Sequence, residues 1–140
     1  MSIASSTVGQ ELSALVKPPI TQEQLRQYAD ASGDHNPIHL DPEAARSVGL
    51  DGVIAHGMLS MAFLGQFVNQ QIAGEPGARV ERLKVRYIGM VRLGDTLTCK
   101  GKVAQIAQEA GETAITLECW AQNQRGEPVT TAEAVVRVPA

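Results

Sequence analysis

The sequence predicts an α+β fold in which one long buried helix is followed by a curved antiparallel sheet. Three observations predict it. Residues 58–72 carry apolar side chains around most of a helical surface, the pattern of a helix wrapped by its surroundings. Four stretches beyond residue 79 alternate apolar and polar side chains, the period of strands with one face inward. Turn residues at Gly94-Asp95, Ala110-Gly111 and Arg125-Gly126 separate those strands, so they read as sequential hairpins around the helix.

The chain begins weakly patterned. Val8, Leu12 and Leu15-Val16 form either a short edge strand or a surface segment, and Lys17-Pro18-Pro19 ends regular structure there. Thr21 is an N-cap with Gln24 three residues on, opening a helix over Gln22 to Ala31 that Ser32-Gly33 closes. From Gly33 to His39 a tight irregular loop is expected, because Pro37 removes a donor and restrains Asn36. Asp41 and Pro42 restart a short helix as N-cap and first residue, with Ala44, Ala45 and Val48 as its apolar face and Gly49 as its end. Val53 and Ile54 lead into His56-Gly57, then into the helix from Met58 to Ile72, closed by Gly74, Pro76 and Gly77.

The strands follow. Val80 to Ile88 sets Leu83, Val85 and Tyr87 against Arg82, Lys84 and Arg86 on the other face. Thr96 to Ile106 turns Leu97, Cys99 and Val103 inward, and Thr113 to Ala121 does so with Ile115, Leu117 and Cys119. Val129 to Val138 is the last strand. The helix covers one sheet face only, so association of two copies through sheet edges or further buried surface is expected.

Composition narrows the function. At 140 residues, 44% of them hydrophobic and 19% charged, residues 1–140 are expected to form one domain with a single core. A net charge of -3 without a basic run or stripe argues against a nucleic-acid partner. No apolar stretch reaches the ~18–20 residues of a spanning helix, and the first 17 residues lack the layout of a secretory signal. A cytoplasmic protein with no membrane partner is expected, with Cys99 and Cys119 kept as reduced thiols.

The chemistry concentrates between Asp34 and Gly57. Asp34, Asn36, Pro37 and His39 form D-x-N-P-x-H, a carboxylate and an imidazole five residues apart on a loop that proline stiffens. Such a pair can give and take a proton near neutral pH, although Asp and Asn also fold loops by bonding their own backbone. His56-Gly57 stands at the head of the buried helix, where first-turn N–H groups without internal partners can hold an oxyanion. The bland alternative is that Gly57 permits close packing and His56 caps the helix. Ser60, one turn in, can bond a backbone carbonyl or line the site, and His35 is expected to face solvent. His35, His39, His56 and Asp34 could ligate a metal, but no ligand spacing of a known kind is present, so none is expected. No G-x-S-x-G elbow, phosphate loop or dinucleotide fingerprint occurs. Arg82, Lys84 and Arg86 are either a phosphate contact or an exposed strand face.

The stretch YADASGDHNPIHLDPEAARSVGLDGVIAHGMLSM, from Tyr28 to Met61, closely resembles the MaoC-like dehydratases, which include R-specific enoyl-CoA hydratases. SGDHNPIH and IAHGMLSM look most like the HadB-type (3R)-hydroxyacyl-thioester dehydratase subunits, and KVRYIGMVRLGD fits the same family. The resemblance implies a hot-dog fold and a homodimer, or a heterodimer with a related subunit. It implies that Asp34 and His39 are the catalytic pair, that Asn36 holds the loop and that the Gly57 N–H binds the thioester carbonyl. The activity implied is reversible hydration of trans-2-enoyl thioesters to (3R)-hydroxyacyl thioesters, with His39 taking a proton from water and Asp34 delivering one to C2. No cofactor is implied, since CoA or acyl-carrier protein arrives with the substrate. Two rivals share the fold: a non-catalytic acyl-binding subunit of a heterodimeric dehydratase, and an acyl-CoA thioesterase.

Overall fold

Thr21 opens the first helix through its side chain, whose Oγ1 accepts the Gln24 N–H at 3.1 Å. The computed structural model describes residues 2–140, and in it this helix, α1, spans Gln22–Ser32. It stops at Gly33, whose φ of 80° is the left-handed conformation a C-terminal cap uses. Asp41 likewise caps α2, Pro42–Ser47, by accepting from the Glu43 N–H at 3.0 Å. Only part of the expected apolar face of α2 is used. Ala45 is buried, but the helix ends before Val48, which is left 65% exposed.

The third helix, α3, spans Gly57–Ile72 and buries Leu59, Phe63, Leu64, Phe67, Val68 and Ile72. Met58 and Ala62 lie exposed, so the helix is not enclosed all round as its composition suggested. The sheet of one chain reaches around one side, and an apolar stripe remains at the solvent.

That sheet has five antiparallel strands in the order β1-β3-β4-β5-β2. They are β1 (Leu15–Val16), β2 (Arg79–Tyr87), β3 (Thr98–Glu109), β4 (Glu112–Gln122) and β5 (Pro128–Pro139). The edge-strand option for Leu15-Val16 is the one realised. β3, β4 and β5 form sequential hairpins, and Ala110 and Gly111 turn the first with φ of 52° and 80°. The hairpin expected between β2 and β3 does not form. β2 instead pairs with β5 and occupies the opposite edge.

The reason lies in the connection from Ile88 to Leu97, whose backbone is claimed by other segments. The Ile88 N–H bonds the Val129 carbonyl at 2.9 Å, and the Val91 carbonyl accepts from Ala55 at 2.8 Å. Gly94 and Asp95 exchange backbone bonds with Ile20. The link therefore crosses the molecule and delivers β3 to the far edge, while bracing the strand-like segment that leads into α3.

The core lies between α3 and the concave sheet face. Leu97, Cys99, Val103, Ile115, Leu117, Cys119 and Val136 are buried there as their alternation required. Gly101 admits the helix: a Cβ at this position would lie 3.1 Å from the Phe67 ring and 2.9 Å from the Glu118 carbonyl. Cys99 and Cys119 are free thiols, and burial pushes them up to about 11 and about 12. Among the described residues no helix is long and apolar enough to cross a membrane.

Candidate active site

The loop after α1 is built from its own polar side chains. The Asp34 N–H donates to Ser32 Oγ at 3.1 Å, Asp34 Oδ1 accepts the Asn36 N–H at 3.2 Å, and Asn36 Oδ1 accepts the Ile38 N–H at 3.2 Å. Pro37–His39 is a single 3-10 turn rather than the irregular loop expected. Proline is compatible with it because Pro37 stands at the first position, where a missing N–H costs nothing.

That turn points His39 inward. The residue is buried, and its Nδ1 donates to the Ile54 carbonyl at 2.7 Å. With Nδ1 carrying the proton, Nε2 is the nitrogen left for chemistry. It lies 3.9 Å from Oδ2 of Asp34, whose side chain is about half exposed. The separation is too long for a direct hydrogen bond and suits one bridging water. Gln22 Nε2 adds a bond to the His39 carbonyl at 3.1 Å.

His56 packs on this pair from behind. Its ring stacks on His39 with centroids 3.9 Å apart and planes at 28°, and the Tyr28 ring lies 4.8 Å away, tilted at 55°. Its Nε2 donates to the Asp34 carbonyl at 3.0 Å. Burial holds the His56 pKa below the usual histidine range, and the neighbouring His39 adds to this. Burial, Tyr87 and Asp34 together push the Tyr28 phenol upward.

Gly57 is the first residue of α3 and is exposed. A Cβ there would meet the Tyr87 ring at 3.4 Å, an ordinary contact. Packing against Tyr87 therefore does not demand glycine, whereas close approach of a ligand to the first-turn N–H groups would. Ser60 is buried and turned away from solvent: its Oγ bonds the Gly57 carbonyl at 2.8 Å and Thr130 Oγ1 at 2.7 Å, fastening the head of α3 to β5.

The structure thus brings Asp34 and His39 together and sets both beside the head of α3 through His56. Asn36 serves the loop and Ser60 the helix. His35 stays outside, where hydrogen bonding to Asp30 at 3.1 Å raises its pKa. One donor atom each from Asp34, His39 and His56 fall within 4.8 Å of one another, so three of the four residues weighed as metal ligands do converge. Two ring nitrogens, His39 Nδ1 and His56 Nε2, are already bonded to backbone carbonyls. Of the three bases on β2, Arg82 pairs with Glu133 at 2.9 Å. Lys84 and Arg86 border a cavity of about 630 Å³ with Trp120, none of whose lining residues belongs to the Asp34–His39 loop.

Of the two readings open for His56-Gly57, an oxyanion site or a cap, the cap by the His56 side chain does not form. Sequence reasoning missed the Ile54 carbonyl and Tyr28. Proximity of Ile54 to His56 in the chain was a usable signal; nothing local marks a backbone carbonyl as an anchor for a ring 15 residues earlier.

A paired carboxylate and imidazole at the head of a helix, with a curled five-stranded sheet around that helix, define a hot-dog-fold protein of the MaoC-like class. The chain belongs to that family: the MaoC like domain matches residues 4–119. It is 32% identical over 138 residues to the UPF0336 protein of Streptomyces avermitilis, covering 94% of this chain and 92% of that one. It is 30% identical over 128 residues to the (R)-specific enoyl-CoA hydratase of Rhodospirillum rubrum, covering 91% and 86%. The solved (R)-hydratase from Aeromonas caviae superposes with a TM-score of 0.80 at 29% identity, covering 96% of this chain and 98% of that one.

Proposed function

We propose that the chain hydrates trans-2-enoyl thioesters to (3R)-hydroxyacyl thioesters, and dehydrates them in reverse, with Asp34 and His39 as the acid-base pair. The observation that carries this is the 3.9 Å facing of Asp34 Oδ2 and His39 Nε2, with the Nδ1 proton fixed on the Ile54 carbonyl. The (R)-specific hydratases among the relatives supply the substrate class.

In the proposed mechanism the thioester carbonyl accepts from the N–H at Gly57, which polarises the conjugated double bond and stabilises the enolate charge. One water held between the pair attacks C3 while a proton reaches C2. Delivery from one side gives syn addition. The pair needs a single proton between its two members. In the direction first expected, neutral His39 takes the proton of water and protonated Asp34 gives one to C2. In the opposite direction the carboxylate takes the proton from water and imidazolium His39 donates one to C2, with the same two groups. Neither direction uses a metal or redox cofactor, and CoA or carrier protein enters as part of the substrate.

We further propose a dimer, of two copies or with a related subunit. β2 is a nine-residue edge strand, and Met58, Tyr87, Ile88 and Met90 are exposed apolar residues grouped at its end and at the head of α3.

Loss of enoyl absorbance from crotonyl-CoA and from a longer enoyl-CoA tests the reading, with product chirality and free thiol measured in the same reaction. Formation of the (3R)-hydroxyacyl-CoA without thiol release supports it. Thiol release would establish the thioesterase instead. A dimeric chain without turnover on either substrate would favour the non-catalytic subunit.

A further inference from the structure

We propose that His56 is a positioning residue for the Asp34–His39 pair, gripping both members from one buried ring. The inference rests on the hydratase reading above. His56 is 2% exposed and occupies the N-cap position of α3, but its side chain does none of the work of a cap. Its one hydrogen bond is spent on the Asp34 carbonyl at 3.0 Å, 22 residues away in sequence. Its face lies on His39 at 3.9 Å between centroids.

The other ring nitrogen strengthens the argument. A carbonyl only accepts, so Nε2 carries the proton, and Nδ1 of the neutral ring is then a bare acceptor. That atom is buried without a hydrogen-bond partner. A buried unpaired acceptor costs stability, and an apolar ring would fill the same space without that cost. The residue is explained by the two contacts only histidine makes together here: an N–H aimed at the Asp34 carbonyl and a flat ring under His39. Tyr28, 4.8 Å away, brings α1 against the same ring. Because the Asp34 backbone and the His39 ring are fixed to one rigid group, the gap between carboxylate and Nε2 is set by His56. Ser60 then anchors the same helix end to Thr130.

The two contacts are separable. His56→Gln keeps an N–H at a similar reach and loses the ring; His56→Phe keeps a ring and loses the N–H. Each is expected to lower kcat on crotonyl-CoA about 10- to 100-fold, as displacement of a catalytic pair does, with KM changed less than about threefold. Added to Asp34→Asn, either change should cost less than about threefold, since there is no longer a carboxylate to position. A folded His56→Gln or His56→Phe with kcat within about twofold of the parent, or effects that multiply fully with Asp34→Asn, would overturn the proposal. Imidazole ¹⁵N spectra of His39 give a second readout that needs no turnover. The Ile54 bond keeps the Nδ1 proton in place in every form, so the readout is the Nε2 resonance: both variants should shift and broaden it relative to the parent, and an Nε2 resonance unchanged in both overturns the role. If the parent itself fails to hydrate, the hydratase reading falls, and these spectra still decide what His56 does.

Discussion

The carbonyl oxygen of Ile54 lies 2.7 Å from Nδ1 of His39, and this contact determines which ring nitrogen faces Asp34. The bond comes from the segment just before α3, which is itself held by the Ala55–Val91 backbone bond. The orientation of the imidazole is thus set by backbone rather than by a second carboxylate.

His39→Asn separates that anchor from the chemistry. An Asn side chain can still donate to the Ile54 carbonyl from near the Nδ1 position but offers nothing at Nε2. The variant should fold with a melting temperature close to the parent's and lose about 10²- to 10⁴-fold in kcat, measured on crotonyl-CoA. Near-parental turnover would remove His39 from the mechanism.

Chelation tests the metal-free reading. Asp34, His39 and His56 offer three donors in one place, yet the proposed proton transfers use no Lewis acid. Dialysis against EDTA should leave turnover unchanged, and added Zn²⁺ should inhibit by tying up the pair. Loss of activity on dialysis, restored by a divalent ion, would show a metal enzyme.

Gly57→Ala is expected to fold, because the nearest atoms the added methyl meets are those of the Tyr87 ring, at 3.4 Å. It should obstruct the approach of a carbonyl to the first-turn N–H groups and lower kcat/KM about tenfold or more. A variant with unchanged kcat/KM would move the carbonyl-binding position elsewhere.

Gly101→Ala is expected to behave in the opposite way. Its methyl would lie 2.9 Å from the Glu118 carbonyl and 3.1 Å from Phe67, and overpacking of this kind costs about 1–3 kcal/mol. Chemical denaturation should show the loss in midpoint, while kcat per folded molecule stays near the parent value.

Stability should fall as pH drops from about 6.5, the unfolded value for histidine. Burial first, and then His39, hold His56 below that value in the folded chain, while its bond to the Asp34 carbonyl and the charges of Asp34 and His35 also act on it. The unfolded chain therefore binds the proton more readily, and acid favours unfolding. His35 has its pKa raised and pulls the other way. The difference in melting temperature between parent and His56→Gln isolates the effect: the parent should lose more between pH 7 and pH 5.

What was legible in the sequence was local. Thr21, Gly33, Asp41 and Pro42 mark helix ends by rules that need only neighbouring residues, and all four hold. The inward residues of β3 and β4 follow from period two alone. D-x-N-P-x-H located the Asp34–His39 pair because one short loop carries both. What escaped was long-range. β2 pairs with β5 through contacts some 50 residues apart, as Arg82 with Glu133 shows, and nothing within Arg79–Tyr87 names its partner. Met58 looked buried because it is apolar, yet it stands 55% exposed at the head of α3. His56 looked like a cap because it precedes a helix, and its partners Asp34 and His39 are 22 and 17 residues earlier.

The pairing of β2 with the last strand also bears on how the chain is made. Synthesis runs from the N-terminus, so the Asp34–His39 loop, α3 and β2 leave the ribosome well before residues 128–139. Until those residues emerge, β2 has no neighbour on either side, and Ile88 and Gly89 lack the Val129 carbonyl they bond. The nascent site would sit on an unclosed sheet, exposed to chaperones and proteases, and would mature in one late step when β5 slides between β4 and β2. Chains stalled anywhere before Pro128 should be degraded rather than partly active.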